Sequence, residues 1–175
     1  LILFFIPFVI FTSCKEFFDP EQKLEIHEGD LYKDWYEYRA VAMGMYSIQQ
    51  ELVEQLFILG ELRGNLVTVT ANADADMIEI NNFNVSRENK YASPGNFFKL
   101  ISVANNFINV LKENHPEVTD PTSPVTNYDR LYGEVLCMRA WAYFNAARIY
   151  GKVPFIHESL TSIEETEAYL NSSGT

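Results

Sequence analysis

With 175 residues, 47% of them apolar and 14% aromatic, the chain can bury one sizeable core and is not a disordered tail. Its 13 basic residues stand against 24 acidic ones, a formal net charge of −11. That balance argues against nucleic-acid binding, which needs a basic face, and against charge-driven docking on anionic lipid, so any membrane attachment has to be hydrophobic.

Leu1 to Ser13 carry no charge, and Cys14 is followed at once by Lys15 and Glu16. Such a run is too short to span a bilayer and has the layout of a signal-peptide core ending at small residues. Phe11-Thr12-Ser13-Cys14 resembles a bacterial lipobox, with Phe11 where an aliphatic residue is commoner. The expectation is a signal segment over 1–13, lipidation of Cys14 and a lipidated tether over 14–30. The competing reading is a buried apolar strand whose cysteine is only a small hydrophobe. Neither Met nor a basic residue precedes the run, and Asn171 to Thr175 carries no closing helix or strand signal, so the chain is expected to be a fragment. An acylated Cys14 cannot pair. Cys137, within an apolar helical run, is then expected to be a buried, inert thiol.

Residues 17–30 are polar and acidic, with Pro20 and Gly29. Asp30 is placed to cap a helix over about 31–59, with Trp35, Tyr38, Ala42, Met45, Tyr46, Gln49, Leu52 and Val53 on one stripe. Gly44 suits close packing and Gly60 a C-cap. Residues 62–91 lack a clear helical period: Val67 to Thr70 is β-prone, while 72–76 and 80–84 are Asn/Asp-rich loop. An irregular stretch of that length is often functional. Ser93-Pro94 restarts a helix that carries Phe97, Phe98, Ile101, Ala104, Phe107, Ile108 and Leu111 to about Glu113. His115-Pro116 ends it. Asp129 opens a helix to about Tyr150 whose apolar residues fall on two stripes, one from Leu131 to Ile149 and one from Leu136 to Tyr150. That pattern predicts a buried central helix. Gly151 is its C-cap, Val153 to Ile156 leaves extended, and residues 164–170 start a short helix. The class is mainly α, with long irregular loops; the helices flanking 116–127 suit antiparallel packing, but no clean internal repeat marks a solenoid.

No catalytic or metal constellation stands out. His27, His115 and His157 are scattered, and there is no His-x-x-x-His, Cys-x-x-Cys or Gly-x-Ser-x-Gly. Asn72-x-Asp74-x-Asp76 fails as an EF-hand loop, because Met77 and Phe83 stand where glycine and glutamate are needed. The chain reads as a non-enzyme without metal or cofactor. In the irregular stretch Asn82, Phe83, Asn84, Arg87 and Tyr91 combine aromatic rings with planar polar groups, the make-up of a ligand-binding platform. The bland reading is that Phe83 and Tyr91 pin the loop to the body. Arg139, in mid-helix, is expected to snorkel or pair with Glu134 or Glu61, a structural role, and Gly151 before Val153-Pro154 to let the chain turn out of the helix.

Leu131-Tyr-Gly-Glu-Val-Leu-Cys-Met-Arg-Ala140, Tyr143-Phe144 and Tyr150-Gly-Lys-Val-Pro154 resemble the SusD/RagB family of outer-membrane nutrient-binding lipoproteins of Bacteroidetes. Gly60-Glu-Leu-Arg-Gly64, Ile101-Ser-Val-Ala-Asn105 and Cys14 agree in order. Pro94 stands where the family usually has a tryptophan, and Arg63-Gly-Asn65 replaces the more usual Arg-Gly-Asp. The family is several times longer, so the resemblance implies an incomplete amino-terminal domain over 31–175, of helical-repeat, TPR-like superhelical type. It also implies capture of oligosaccharide at a lipid-anchored, outward-facing protein of the outer membrane, and delivery to a SusC-type TonB-dependent transporter. The residues leave two alternatives open, a peptide ligand and a helical-repeat adaptor whose partner is another protein.

Overall fold

The computed structural model describes residues 31–114 and 125–172. The description that follows is of the unit Asp34–Thr175. The expected signal segment and tether, with Cys14 and Asp30, lie outside the described residues.

Asp34, rather than Asp30, caps the first helix: its carboxylate accepts from the Glu37 amide at 3.0 Å, and α1 runs over Trp35–Phe57. The buried stripe is Tyr38, Ala42, Met45, Leu52 and Gln55, while Tyr46 and Val53, expected on it, are exposed. α1 runs directly into a π-helical turn, Ile58–Leu62. Gly64 closes this turn, its amide donating to the Gly60 carbonyl at 2.8 Å. A Cβ on Gly64 would sit 2.6 Å from that oxygen, so the close approach belongs to Gly64. Gly44 and Gly60 have open space where a Cβ would stand, and Gly60 lies inside the π turn, not at a C-cap.

The irregular stretch does contain a helix, α2 over Ala75–Asn81, capped by Asp74. Val67 to Thr70, β-prone in sequence, forms no strand: Val67 lies in a bend, and no second segment pairs with the run among the described residues. After a single 3-10 turn at Lys90–Ala92 come α3 over Gly95–Asn114, α4 over Asn127–Tyr150 and α5 over Ile163–Ser172. Thr126 is the N-cap of α4: its hydroxyl accepts from the Asp129 amide at 3.1 Å and donates to the Asp129 carboxylate. Asp129 is therefore the third residue of this helix, not its opening.

The fold is mainly α, and among the described residues there is no strand. α3 packs most extensively on α4 and next on α1. Phe97 meets Tyr150 at 6.1 Å while Asn105 meets Arg139, so α3 and α4 run antiparallel. Tyr38 meets Phe107 while Glu51 meets Lys99, so α1 runs antiparallel to α3 as well. The central helix is α3, with nine buried residues including Phe97, Leu100, Ile101, Phe107 and Leu111. α4, expected to be central, buries only the stripe through Leu131, Val135, Met138 and Ala142. On its other face Ala140 and Ala147 are exposed, Leu136, Tyr143 and Tyr150 half-buried, and Phe144 is 60% exposed under the Arg148 guanidinium. Cys137 lies on the exposed side too, so the expectation of a buried thiol is wrong.

Arg139 finds an amide rather than a carboxylate. Its Nη1 donates to Asn105 Oδ1 at 2.8 Å, while Glu134 accepts from the Tyr46 hydroxyl at 3.2 Å. Asn105 Nδ2 donates on to the Ile156 carbonyl at 2.9 Å. The Tyr143 hydroxyl holds the Ile156 carbonyl and amide, both at 2.7 Å, so the segment leaving α4 is strapped to α3 and α4. Burial pushes the Tyr143 hydroxyl up from its ordinary pKa. Gly151 starts this segment as the C-cap of α4, at φ 78° and ψ −103°, a backbone region open to few residues besides glycine. Pro154 lies within it. Gly151→Ala meets no steric obstacle, so its cost is backbone strain. We expect a loss of about 1–3 kcal/mol, read as a lower denaturation midpoint at unchanged m-value.

Candidate functional site

The irregular segment between the π turn and α3 is built on its own small core. Ile58, Leu62, Ile80 and Tyr91 are buried together, with Leu59, Val69 and Met77 packed on them. Polar side chains then fix the chain around this core. Asp74 Oδ1 accepts from the Met77 amide at 2.9 Å and Oδ2 pairs with Lys90 Nζ at 2.7 Å. The Lys90 ammonium also lies 4.8 Å from the centre of the Tyr91 ring. Its hydrogen bond to Asp74 holds the Lys90 pKa above the ordinary lysine value, and the same contact holds Asp74 below the usual carboxylate range. Glu79 Oε2 takes three hydrogen bonds, from Asn89 Nδ2 and from the Ser86 amide and hydroxyl, and its pKa is lowered by them, Asn89 first. Asn89, 2% exposed, also donates to the Asp76 carbonyl and accepts from the Tyr91 amide, which occupies its whole amide group.

Two clefts flank this platform, and Glu54 lines both. The larger, about 500 Å³, lies between the end of α1 and the run from Val67 to Thr70, with Phe57, Ile58, Val67, Thr68, Thr70 and Met77 on its walls. Apolar faces alternate there with hydroxyls. The smaller, about 270 Å³, is polar and lined by Glu51, Glu54, Gln55, Lys90, Tyr91 and Asn96. The Tyr91 hydroxyl donates to Glu54 Oε1 at 3.0 Å. Gln55 Nε2 donates to the carbonyls of Tyr91 and Ser93, both at 2.7 Å, and lies 3.2 Å from the Tyr150 hydroxyl. Burial pushes that hydroxyl up to about 12.

The residues singled out from sequence divide into two groups. Asn82, the C-cap of α2, stands with Phe83 and Asn84 on one exposed turn, and Arg87 is exposed three residues on. Phe83 is 67% exposed and takes φ 56°, the left-handed region that a bulky side chain seldom adopts. It does not pin the loop. Tyr91, 6% exposed, does pin it, and it lines the smaller cleft. Glu54, Phe57 and the run from Val67 to Thr70 escaped the sequence reading as site residues. The exposed Phe57 at the end of an otherwise amphipathic helix was the available signal. Among the described residues no group of three His, Cys, Asp or Glu side chains is placed to hold a metal ion, and no helix is long and apolar enough to cross a membrane.

A helical scaffold that fixes an irregular, cleft-bearing segment in this way is an architecture for presenting a binding surface. The chain belongs to the SusD-like family: residues 16–173 match the family described as starch-binding and associating with the outer membrane. These are binding proteins. The SusD-like protein P38 of Formosa agariphila is 26% identical over 149 residues, which cover 83% of this chain. The chain spans 27% of the length of that relative. No solved structure matches.

Both depressed carboxylates contribute stability that is fully present above their ordinary values of 3.8 and 4.5 and is lost as pH falls through the lower folded-state values. Stability should therefore fall on acidification through that window, and Glu79→Gln should flatten the dependence in denaturant melts recorded from pH 6 to pH 3. Gln55→Leu keeps the volume but leaves two loop carbonyls without donors. It should cost roughly 2–4 kcal/mol, and hydrogen exchange should speed up first in residues 89–93.

Proposed function

We propose that this chain is part of an outer-membrane lipoprotein, anchored through Cys14 and facing outward, that captures oligosaccharide and delivers it to a SusC-type TonB-dependent transporter. The match of residues 16–173 to a starch-binding, outer-membrane-associating family carries this reading. The geometry supports it in three ways. The segment expected to meet a ligand is held as a fixed platform, with Phe83 exposed on the turn it shares with Asn82 and Asn84, and Arg87 exposed three residues on. An apolar ring face suits the C–H face of a pyranose, while amides and a guanidinium suit its hydroxyls. The cleft between Phe57 and Thr68 offers a second wall of mixed character. In this reading capture needs no chemistry, and Tyr91 acts from behind as the pin of the platform.

A peptide ligand remains the second reading for one reason. The backbone of Val67, Thr68 and Val69 has no hydrogen-bond partner among the described residues, so an extended peptide could pair along it.

Purified from its membrane without detergent exchange, the intact protein should bring down a large β-barrel. It should bind oligosaccharides in a calorimetric panel, with Phe83→Ala weakening the best of them by roughly tenfold. Cys14→Ala should move the protein from the membrane to the soluble fraction. Recovery without a barrel, together with peptide binding and no sugar binding, would defeat the proposal.

A further inference from the structure

A row of four aromatic rings lies away from the loop platform, where the chain leaves α4 and enters α5. Tyr143 and Phe155 have ring centres 5.2 Å apart, and Phe155 and His157 stack at 5.4 Å with only 17° between their planes. Tyr169, from α5, closes the row at 6.1 Å from His157. Despite neighbours on two sides, Phe155 is 65% exposed, and the His157 side chain is 52% exposed.

The backbone beneath these rings is held unusually firmly for a segment outside any helix. Asn105 and Tyr143 together take both polar groups of Ile156. The Tyr169 hydroxyl lies 2.8 Å from His157 Nδ1 and 3.3 Å from the Phe155 carbonyl. Ile156 is thus tied down while the side chains on either side of it stand outward and stacked. Pro154 and Leu170, next in sequence to Phe155 and Tyr169, line a cleft of about 670 Å³ together with Val153 and Lys152. Glu158 adds an acceptor at the edge, 3.9 Å from His157 Nε2.

We propose that Phe155 and His157, flanked by Tyr143 and Tyr169, form a second sugar-binding platform, distinct from the loop site, that takes the apolar face of a pyranose ring. The inference rests on the capture reading for its ligand class; its location rests on the ring row alone. Fixed rings lose little freedom on binding, which is what a weak stacking contact needs in order to count. Polar atoms at the rim (His157 Nε2 and the Glu158 carboxylate) can meet ring hydroxyls, whereas a purely apolar partner would leave them unpaired.

The test uses the intact protein and maltoheptaose, with hydroxyl-radical footprinting of aromatic residues beside calorimetry. Phe155 should be labelled readily without glycan and protected at saturating maltoheptaose. Phe155→Ala should raise the concentration that protects Tyr169 roughly tenfold, and Phe155→Trp should restore it. Because Phe155 is mostly exposed, its truncation should leave the melting temperature almost unchanged. Three results would each overturn the platform: a Phe155 already shielded in the unliganded protein, unchanged labelling when maltoheptaose binds, or no maltoheptaose binding at all. Shielding of Phe155 by a protein partner only would overturn it likewise. Binding that protects Phe83 but not Phe155 removes this inference and leaves the loop site standing, while the reverse pattern removes the loop site.

Discussion

The buried amide of Gln55 is the interaction on which the irregular half of this fold depends. A chain that leaves helix without entering a sheet carries carbonyls with no ladder to satisfy them, and burying such groups unpaired is costly. Gln55 meets two of them, on Tyr91 and Ser93, from a position on α1 that is 7% exposed. The same amide lies against Tyr150 at the end of α4. One side chain therefore joins the first helix, the end of the loop and the fourth helix. A carboxylate of the same length has no donor to offer, and an alkyl chain would fill the space without satisfying anything.

Asn105 repeats the device on the other side of α3. Its oxygen accepts from Arg139 and its nitrogen donates to Ile156, so a single neutral group both partners a half-buried guanidinium and straps down the segment after Gly151. A neutral partner suits this position. A buried ion pair must repay the desolvation of two charges, whereas an amide brings only its own dipole to the guanidinium and keeps a donor for the backbone. The two irregular segments are thus organised alike: each is pinned by a side-chain amide from a long helix, Gln55 on α1 and Asn105 on α3, and each presents an aromatic ring outward, Phe83 in one and Phe155 in the other.

The long helices were legible because twenty or more residues of helical period leave little room for another reading, and α1, α3 and α4 lie where that period places them. Their ends were less so. Asp34 and Thr126 each have an acidic neighbour or competitor a few residues away, and only the geometry decides which oxygen reaches the free amide. α2 was invisible because seven residues carry barely two turns of period, and its Asn/Asp-rich flanks read equally well as turn. Asp74, whose spacing with Asn72 and Asp76 fails as a cation loop, is a helix cap paired with Lys90. For Arg139 and Cys137 the sequence offered the wrong prior. Residue type suggests a carboxylate for one and burial for the other, yet the packing of α4 on one face only leaves an amide beside Arg139 and solvent beside Cys137. Of the proposed ligand residues, the exposure of Phe83 and the burial of Tyr91 follow from a satellite core whose members are spread from Ile58 to Tyr91, too far apart for any local pattern to reveal.

Charge also bears on what such a surface can hold. At −11 the chain repels anionic ligands at long range, and the cations nearest the candidate clefts are partly committed: Lys90 to Asp74 and Lys99 to Glu51. Arg87, four residues after Phe83, is an exposed cation of the same segment. One guanidinium among exposed amides and rings cannot concentrate phosphate or a polyanionic glycan against that background, but it can hydrogen-bond neutral hydroxyls without meeting opposition. On the proposed reading stacking and hydroxyl contacts supply the affinity, and the acidic surface takes no part in it.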